Sequence, residues 1–372
     1  MDRRRFIGAA VAVGTGAICR LSGAAAAPTP RTPLRLLMLG GTRFIGIHMT
    51  RLATERGHRV TLFNRGQTNA GLFPQLEHLK GDRNGDLASL QGREWDAVID
   101  DSGFYPRAVR LTAELLAPHV RQYVFISTIS VYASTAQAND EQSPLARMPD
   151  ETVEKVDEET YGPLKALSEQ AAERAMPGRV TVLRPGLIVG PQDNTDRFTY
   201  WPARAARGGD FLAPNRPADA IQFIDARDLA SFALDAIEHG TYGTFNMVSP
   251  PGRFTIGDLV AQSVEVATQI AKPASAPHPI WVPADFLEAQ KVEPWSDLPV
   301  WLPATGDTAG FAQTRTTRAE QAGLQIRSLH ETVRDTLEWQ LGRPADEQSK
   351  LKAGITPKRE REVLVAWRRT QR

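Results

Sequence analysis

The stretch LRLLMLGGTRFIGIHMTRLATERGHRVTLFNRG, Leu34–Gly66, decides the fold. Leu34–Leu39 is an apolar run without alternation, the mark of a strand buried on both faces of a parallel sheet. Gly40, Gly41 and Gly46 follow in a G-x-x-R-x-x-G turn that opens a helix ending near Gly57, and Val60–Phe63 reads as a second strand. A glycine turn between strand and helix leaves backbone N–H groups free at a helix N-terminus, where the dipole favours a phosphate. With a strand before it and a helix and strand after it, the turn predicts a dinucleotide cradle. Its members are Gly40, Thr42, Arg43, Phe44, Ile45 and Gly46.

Outward from the cradle, Asn64 and Arg65 occupy the place where an acidic residue would grip an adenosine ribose. Asn64 does not repel a 2′-phosphate and Arg65 can pair with one, with Arg43 as a second cation nearby. NADP is therefore expected over NAD. His78–Asp82 reads as a third strand with Asp82 at the place of an adenine contact. Trp95–Asp101 reads as a fourth, followed by Ser102 and Gly103 where backbone would pass close to a cofactor. A helix begins at Val109, and Gln122–Ser127 is a fifth strand. Strands alternating with helices at this spacing predict an α/β, Rossmann-type, doubly wound parallel sheet.

Ser127-Thr128-Ile129-Ser130-Val131-Tyr132 lies at the carboxyl end of the fifth strand, the edge where chemistry collects in such sheets. Tyr161-Gly-Pro-Leu-Lys165 starts an Ala/Glu/Leu-rich helix, and residues four apart share one helical face. Taken in order, GGTRFIG, STISVY, YGPLK, LRPGLIVGP (Leu183–Pro191) and QFIDARDLA (Gln222–Ala230) resemble the extended short-chain dehydrogenase/reductases. The likeness is greatest to their atypical, epimerase/dehydratase-like members and covers roughly residues 34–342.

That resemblance implies an NAD(P)-dependent oxidoreductase or epimerase working at a secondary hydroxyl or carbonyl of a sugar-like molecule. It implies Tyr161 as acid/base, Lys165 on the nicotinamide ribose, Thr128 on the reacting oxygen, and Pro185 and Gly186 beside the cofactor. A free tyrosine titrates near ~10, so a lysine ammonium one turn away is expected to favour the phenolate. Two departures narrow the chemistry. Ile129 and Ser130 follow Thr128 where 4,6-dehydratases carry Asp-Glu, which disfavours dehydration. Leu187 stands where nucleotide-sugar enzymes place an asparagine for the substrate diphosphate, a contact an apolar side chain cannot make. Ser130, Tyr132, Asn194, Arg197 and Tyr200 are the candidates to meet a substrate. The alternative is a non-redox nucleotide- or RNA-binding protein, since chloroplast stem-loop RNA-binding proteins resemble this fold and its glycine turn.

The chain has 372 residues, 41% of them hydrophobic, and a formal charge of +1, which argues against a nucleic-acid surface. Its seven histidines are scattered, and its one cysteine, Cys19, leaves no thiolate metal site downstream. Residues 1–27 have a basic start, an alanine-rich middle and an A-x-A-like end before Pro28. Arg3-Arg4-x-Phe6-Ile7 resembles a twin-arginine signal. The expectation is export of a folded protein by that machinery, without a stable membrane anchor. Residues 28–185, with 221–248 returning to them, are expected to bind NAD(P). Residues 186–220 and 249–344 are expected to form a substrate lobe, and 345–372 a helical tail docked through Val363, Leu364 and Trp367. A homodimer is compatible with this layout.

Overall fold

Five apolar runs of the first half become the inner strands of a seven-stranded parallel sheet. The structure is a computed structural model and describes residues 32–372; the leader lies outside the described residues. The strands are β1 (Arg35–Leu39), β2 (Arg59–Asn64), β3 (Glu77–Lys80), β4 (Ala97–Asp100), β5 (Gln122–Ile126) and β6 (Val180–Pro185), with Gly243–Met247 as the seventh. Their spatial order is Gly243–Met247, β6, β5, β4, β1, β2, β3. In β1, Leu36 and Met38 sit between Val60 and Leu62 of β2 on one side and Ala97 and Ile99 of β4 on the other.

Burial on both faces explains the unbroken hydrophobicity of these runs. Leu36 and Met38 pack with Met49 and Ala53 of α1 (Ile45–Glu55) and with residues 229–237 beyond the sheet. Leu37 and Leu39 face the other way, toward Val109 and Ala113 of α2 (Pro106–Leu116) and Ala171 and Ala172 of α3 (Tyr161–Ala175). All four β1 side chains are fully buried, each worth about 1.5–3 kcal/mol of transfer free energy.

Two boundaries differ from the sequence reading. β3 stops at Lys80, before Gly81 and Asp82, because the chain folds back there. A Cβ on Gly81 would come 2.4 Å from the Asp86 carbonyl, and Asp82 pairs with Asp86 in a tight turn. α2 starts at Pro106, three residues before Val109, where proline suits a first helical position. Beyond β6 a second hydrophobic cluster is built from Trp201, Phe211, Leu259, Val333 and Leu337. The C-terminal helix Pro357–Thr370 buries Val363 and Leu364 in it, while Trp367 meets Phe286 edge-on at 5.0 Å. The carboxyl ends of β1, β4 and β5 share one edge of the sheet, where Gly40, Ser102 and Thr128 follow them.

Candidate active site

The turn after β1 is shaped by what lies beneath it. Gly40 and Gly41 have φ of +117° and +82°. A Cβ on Gly40 would fall 1.7 Å from Asp101 Oδ1, one on Gly46 would fall 2.0 Å from Asp101 Oδ2, and one on Gly41 would strike Met38 and Leu62. Close approach dictates glycine at all three places, and positive φ adds to it at Gly40 and Gly41. The Gly41 N–H donates to Asp101 Oδ2 at 3.1 Å. Arg43, Phe44 and Ile45 present backbone N–H groups that meet no backbone acceptor among the described residues. Phe44 holds φ +38° and ψ −110° at the mouth of α1, a conformation costing a non-glycine residue about 1–3 kcal/mol.

Above this turn opens a cleft of about 600 Å³. Its wall includes Gly40, Thr42, Arg43, Phe44 and Ile45 from the turn, Asn64 at the end of β2 and Arg65 after it, Asp82 after β3, and Ser102 after β4. Asn64 also serves the frame: its amide donates to the Gly40 carbonyl at 3.0 Å and its oxygen accepts from the Gly66 N–H at 2.9 Å. Arg65 is exposed on the rim. Arg43 reaches Asn194, whose amide oxygen accepts from the guanidinium Nε at 3.2 Å. Asn194 thereby joins the cofactor-side wall rather than a separate substrate pocket, and Lys352 Nζ donates to its backbone carbonyl at 3.0 Å. Volume, glycine-shaped floor and unpaired helix-start N–H groups fit a dinucleotide, whose pyrophosphate Phe44 and Ile45 would hold.

Under the cleft lies a buried charged group that the sequence reading missed. Arg83 grips Asp100 through two bonds of 2.6 and 2.7 Å, and the Tyr123 hydroxyl donates to Asp100 at 2.6 Å. The adjoining Asp101 is pushed up to about 7 by burial, with the Asp100 charge adding to the shift. Two aspartates ending a strand that has to be apolar were the available signal. Lys165 is buried with them and lowered to about 8 by desolvation. Its ammonium donates to the carbonyls of Gly103 at 2.8 Å and Ile126 at 2.6 Å, and lies 4.2 Å above the centre of the Phe125 ring.

Tyr161 opens α3 beside Thr128, which lies two residues after the end of β5. Burial raises the phenol, while the neighbouring Thr128 hydroxyl and the charge of Arg197 oppose that. Thr128 donates to Ser130 Oγ at 3.2 Å. This corrects the electrostatics expected of the Tyr–Lys spacing: the cation acting on Tyr161 is Arg197, because Lys165 is turned toward the sheet backbone. Net, the phenol is held above its ordinary range.

Other candidates lie elsewhere. Tyr132 is buried, its hydroxyl donating to Asn246 at 2.6 Å and accepting from Arg184 at 3.2 Å, so it braces the interior instead of meeting substrate. Tyr200 is buried in the second hydrophobic cluster against Gly354. Pro185 ends β6, and Gly186 packs on Val248 and Ile129, outside the cleft wall. Gly103 is a packing glycine: a Cβ there would meet Phe125 at 2.6 Å.

Comparison with known proteins meets this geometry at the same place. Residues 87–247 match the NAD dependent epimerase/dehydratase family. The match takes in β4, β5, Thr128, Tyr161 and Lys165. Bovine (Bos taurus) epimerase family protein SDR39U1 is 28% identical over 295 residues, covering 70% of this chain and 92% of its own. The chloroplast stem-loop binding protein of 41 kDa b from Arabidopsis thaliana is 28% identical over 219 residues; the match spans 55% of each protein. Solved structures share the fold. Human SDR39U1 (isoform 2) with NADPH has 21% identity and a TM-score of 0.52, covering 82% of this chain and 99% of that one. Bordetella bronchiseptica WbmH with NAD+ has 17% identity and a TM-score of 0.58, covering 84% and 99%. Both of these neighbours were solved with a nicotinamide nucleotide bound.

Proposed function

We propose that this chain is an NAD(P)-dependent oxidoreductase or epimerase acting at a secondary hydroxyl or carbonyl of a small, sugar-like substrate. The observation that carries it is the glycine-floored cleft sized for a dinucleotide at the carboxyl edge of the parallel sheet, the edge at which Thr128 follows β5. When bound, a nicotinamide supplies the hydride donor or acceptor. The chain handles the proton. Tyr161, held protonated at neutral pH by burial, gives its proton to a carbonyl oxygen as the carbon below it is reduced, and recovers it in the reverse direction. Thr128 holds that oxygen in line. Lys165 braces the strand ends from below through Gly103 and Ile126, and its ammonium would face the nicotinamide ribose. Ile129 and Ser130 offer no acid–base pair for elimination, so dehydration is outside the reading.

Arg43 and Arg65 on the rim favour NADP. Residues 28–185 and 221–248 form the cofactor-binding part, and 186–220 with 249–344 receive the substrate. The leader exports the folded protein through a twin-arginine route, which favours a cofactor retained and regenerated within each turnover. Mass spectrometry of nucleotide released from the purified, denatured protein tests the cofactor. Tyr161→Phe is then expected to lower turnover by about 10²–10⁴-fold with bound nucleotide unchanged. Unaltered turnover refutes the assigned role.

One relative is named for stem-loop binding. That reading predicts RNA affinity independent of Tyr161, and absence of nucleotide together with such affinity would replace the redox one.

A further inference from the structure

Among the described residues, arginines as buried as Arg197 are bonded within the protein. Arg83 pairs with Asp100, Arg184 with Glu169, Arg204 with Glu360, Arg227 with Asp225, Arg327 with Asp228 and Arg343 with Asp196. Arg197 is half-buried, yet its guanidinium has no protein acceptor and no carboxylate within ion-pair distance among the described residues. It is nevertheless held in place. The guanidinium carbon lies 5.3 Å from the centre of the Trp295 ring, and Trp295 is itself wedged edge-on against Phe311 at 5.2 Å. Stacking fixes the plane of a guanidinium while leaving its N–H fork free.

Two neighbours mark where the fork acts. The Arg197 charge reaches the Tyr161 phenol and the Asp193 carboxyl. Asp193 is fully buried; one oxygen accepts from the Thr195 N–H and hydroxyl, both at 2.8 Å, while the other has no partner among the described residues. A preorganised cation with unused donors, next to a buried carboxyl with an unused oxygen, is an arrangement that a ligand completes. Arg197 is not part of the dinucleotide cleft wall, to which this loop contributes only Asn194.

We propose that Arg197 recognises an anionic group carried by the substrate close to the carbon on which Tyr161 acts. The substrate class is then an acidic, hydroxylated molecule, with a carboxylate or phosphate ester within a few bonds of the reacting hydroxyl, rather than a neutral sugar. The inference rests on Tyr161 marking the reacting carbon, and it adds the charge of the substrate to that reading. Asp193 supplies a hydrogen bond to a hydroxyl of the same molecule.

The test uses the full chain and probes of known charge. Inorganic phosphate, D-gluconate and neutral D-glucitol are titrated at constant ionic strength, reading the part of the tryptophan fluorescence that Trp295→Phe removes. Saturation by phosphate or gluconate, absent with glucitol and weakened about tenfold or more in Arg197→Met, is expected. Arg197→Lys should recover part of the affinity. Response to gluconate alone assigns a carboxylate, and to phosphate alone a phosphate ester. No saturable response to either anion, or an equal response in Arg197→Met, overturns the proposal. Labelling of the wild-type protein with phenylglyoxal gives a readout that needs no variant to fold: the bound anion should protect Arg197, and unprotected labelling counts against the site. Failure here leaves nucleotide release and Tyr161→Phe untouched, and failure of those leaves anion binding to stand alone.

Discussion

Gly40→Ala isolates the contact that shapes the cradle. Two penalties apply. At φ +117° an alanine is in a region L-residues avoid, which costs about 1–3 kcal/mol. Its Cβ would also sit 1.7 Å from Asp101 Oδ1 and 2.8 Å from Asp101 Cγ, and all three of its nearest neighbours are atoms of that one carboxylate. Relieving such overlap by shifting side chain or backbone costs about 1–3 kcal/mol more. The total is about 2–6 kcal/mol by these principles. In an Asp101→Ala background only the φ penalty survives, so Gly40→Ala should cost about 1–3 kcal/mol there. The coupling of about 1–3 kcal/mol is measured as a double-mutant cycle by urea unfolding at one fixed pH. An equal cost of Gly40→Ala in both backgrounds would refute the claim that Asp101 fills the space under the turn. Nucleotide retention should fall with stability in the single variant and recover partly in the double.

Asp101 also gives the protein a pH dependence. Its folded value of about 7 lies above the 3.8 of an unperturbed aspartate, so the folded chain binds the extra proton and stability falls as pH rises between those values. At about 1.4 kcal/mol per unit the loss is no more than about 4 kcal/mol, less whatever water in the cleft screens. Unfolding free energies at pH 5 and pH 8 should differ less in Asp101→Asn than in the wild type; an identical difference argues against it. Arg43→Ala should weaken NADP about tenfold while leaving NAD nearly unchanged, because one charge-assisted bond to a 2′-phosphate is at stake. Equal losses for both nucleotides in a binding titration would assign Arg43 to Asn194 alone. Replacing Arg3 and Arg4 by lysine should retain the chain in the cytoplasm of a twin-arginine-competent host, as fractionation reads out. Continued export contradicts the leader assignment.

What was legible in the sequence was the part that one-dimensional patterns encode. Unbroken apolar runs announced strands buried on both faces, and glycine spacing announced the turn, because close approach and positive φ leave few residues to choose from. Residues that meet only through the fold were not legible. Asn194 reaches the cleft wall from more than 80 residues beyond its other members, and no spacing rule relates it to Arg43. Tyr132 sat in the motif expected to face substrate, yet a 3₁₀ turn at Ile129–Val131 points it back to Asn246 and Arg184. The Arg83–Asp100–Tyr123 group depends on three separate segments converging under the sheet edge, and only the paired aspartates at a strand end hinted at it.

The Tyr161–Lys165 pair shows the limit most clearly, because the spacing was right and the inference from it was not. Four residues apart on a helix puts two Cβ atoms on one face, but a lysine has four further bonds along which to choose a partner. Here the strand ends offer two carbonyls at hydrogen-bond distance, and burial makes those bonds hard to give up. A lysine lowered to about 8 and already satisfied by carbonyls contributes little field to a phenol that burial is raising. The charge that remains in position is Arg197, stacked on Trp295 and without a carboxylate in ion-pair distance among the described residues. An anion drawn to that guanidinium would cancel part of its field and lift the phenol further, keeping Tyr161 in its acid form. Substrate charge and the acidity of Tyr161 would then be coupled through one side chain, an anion at Arg197 making the phenol a weaker acid.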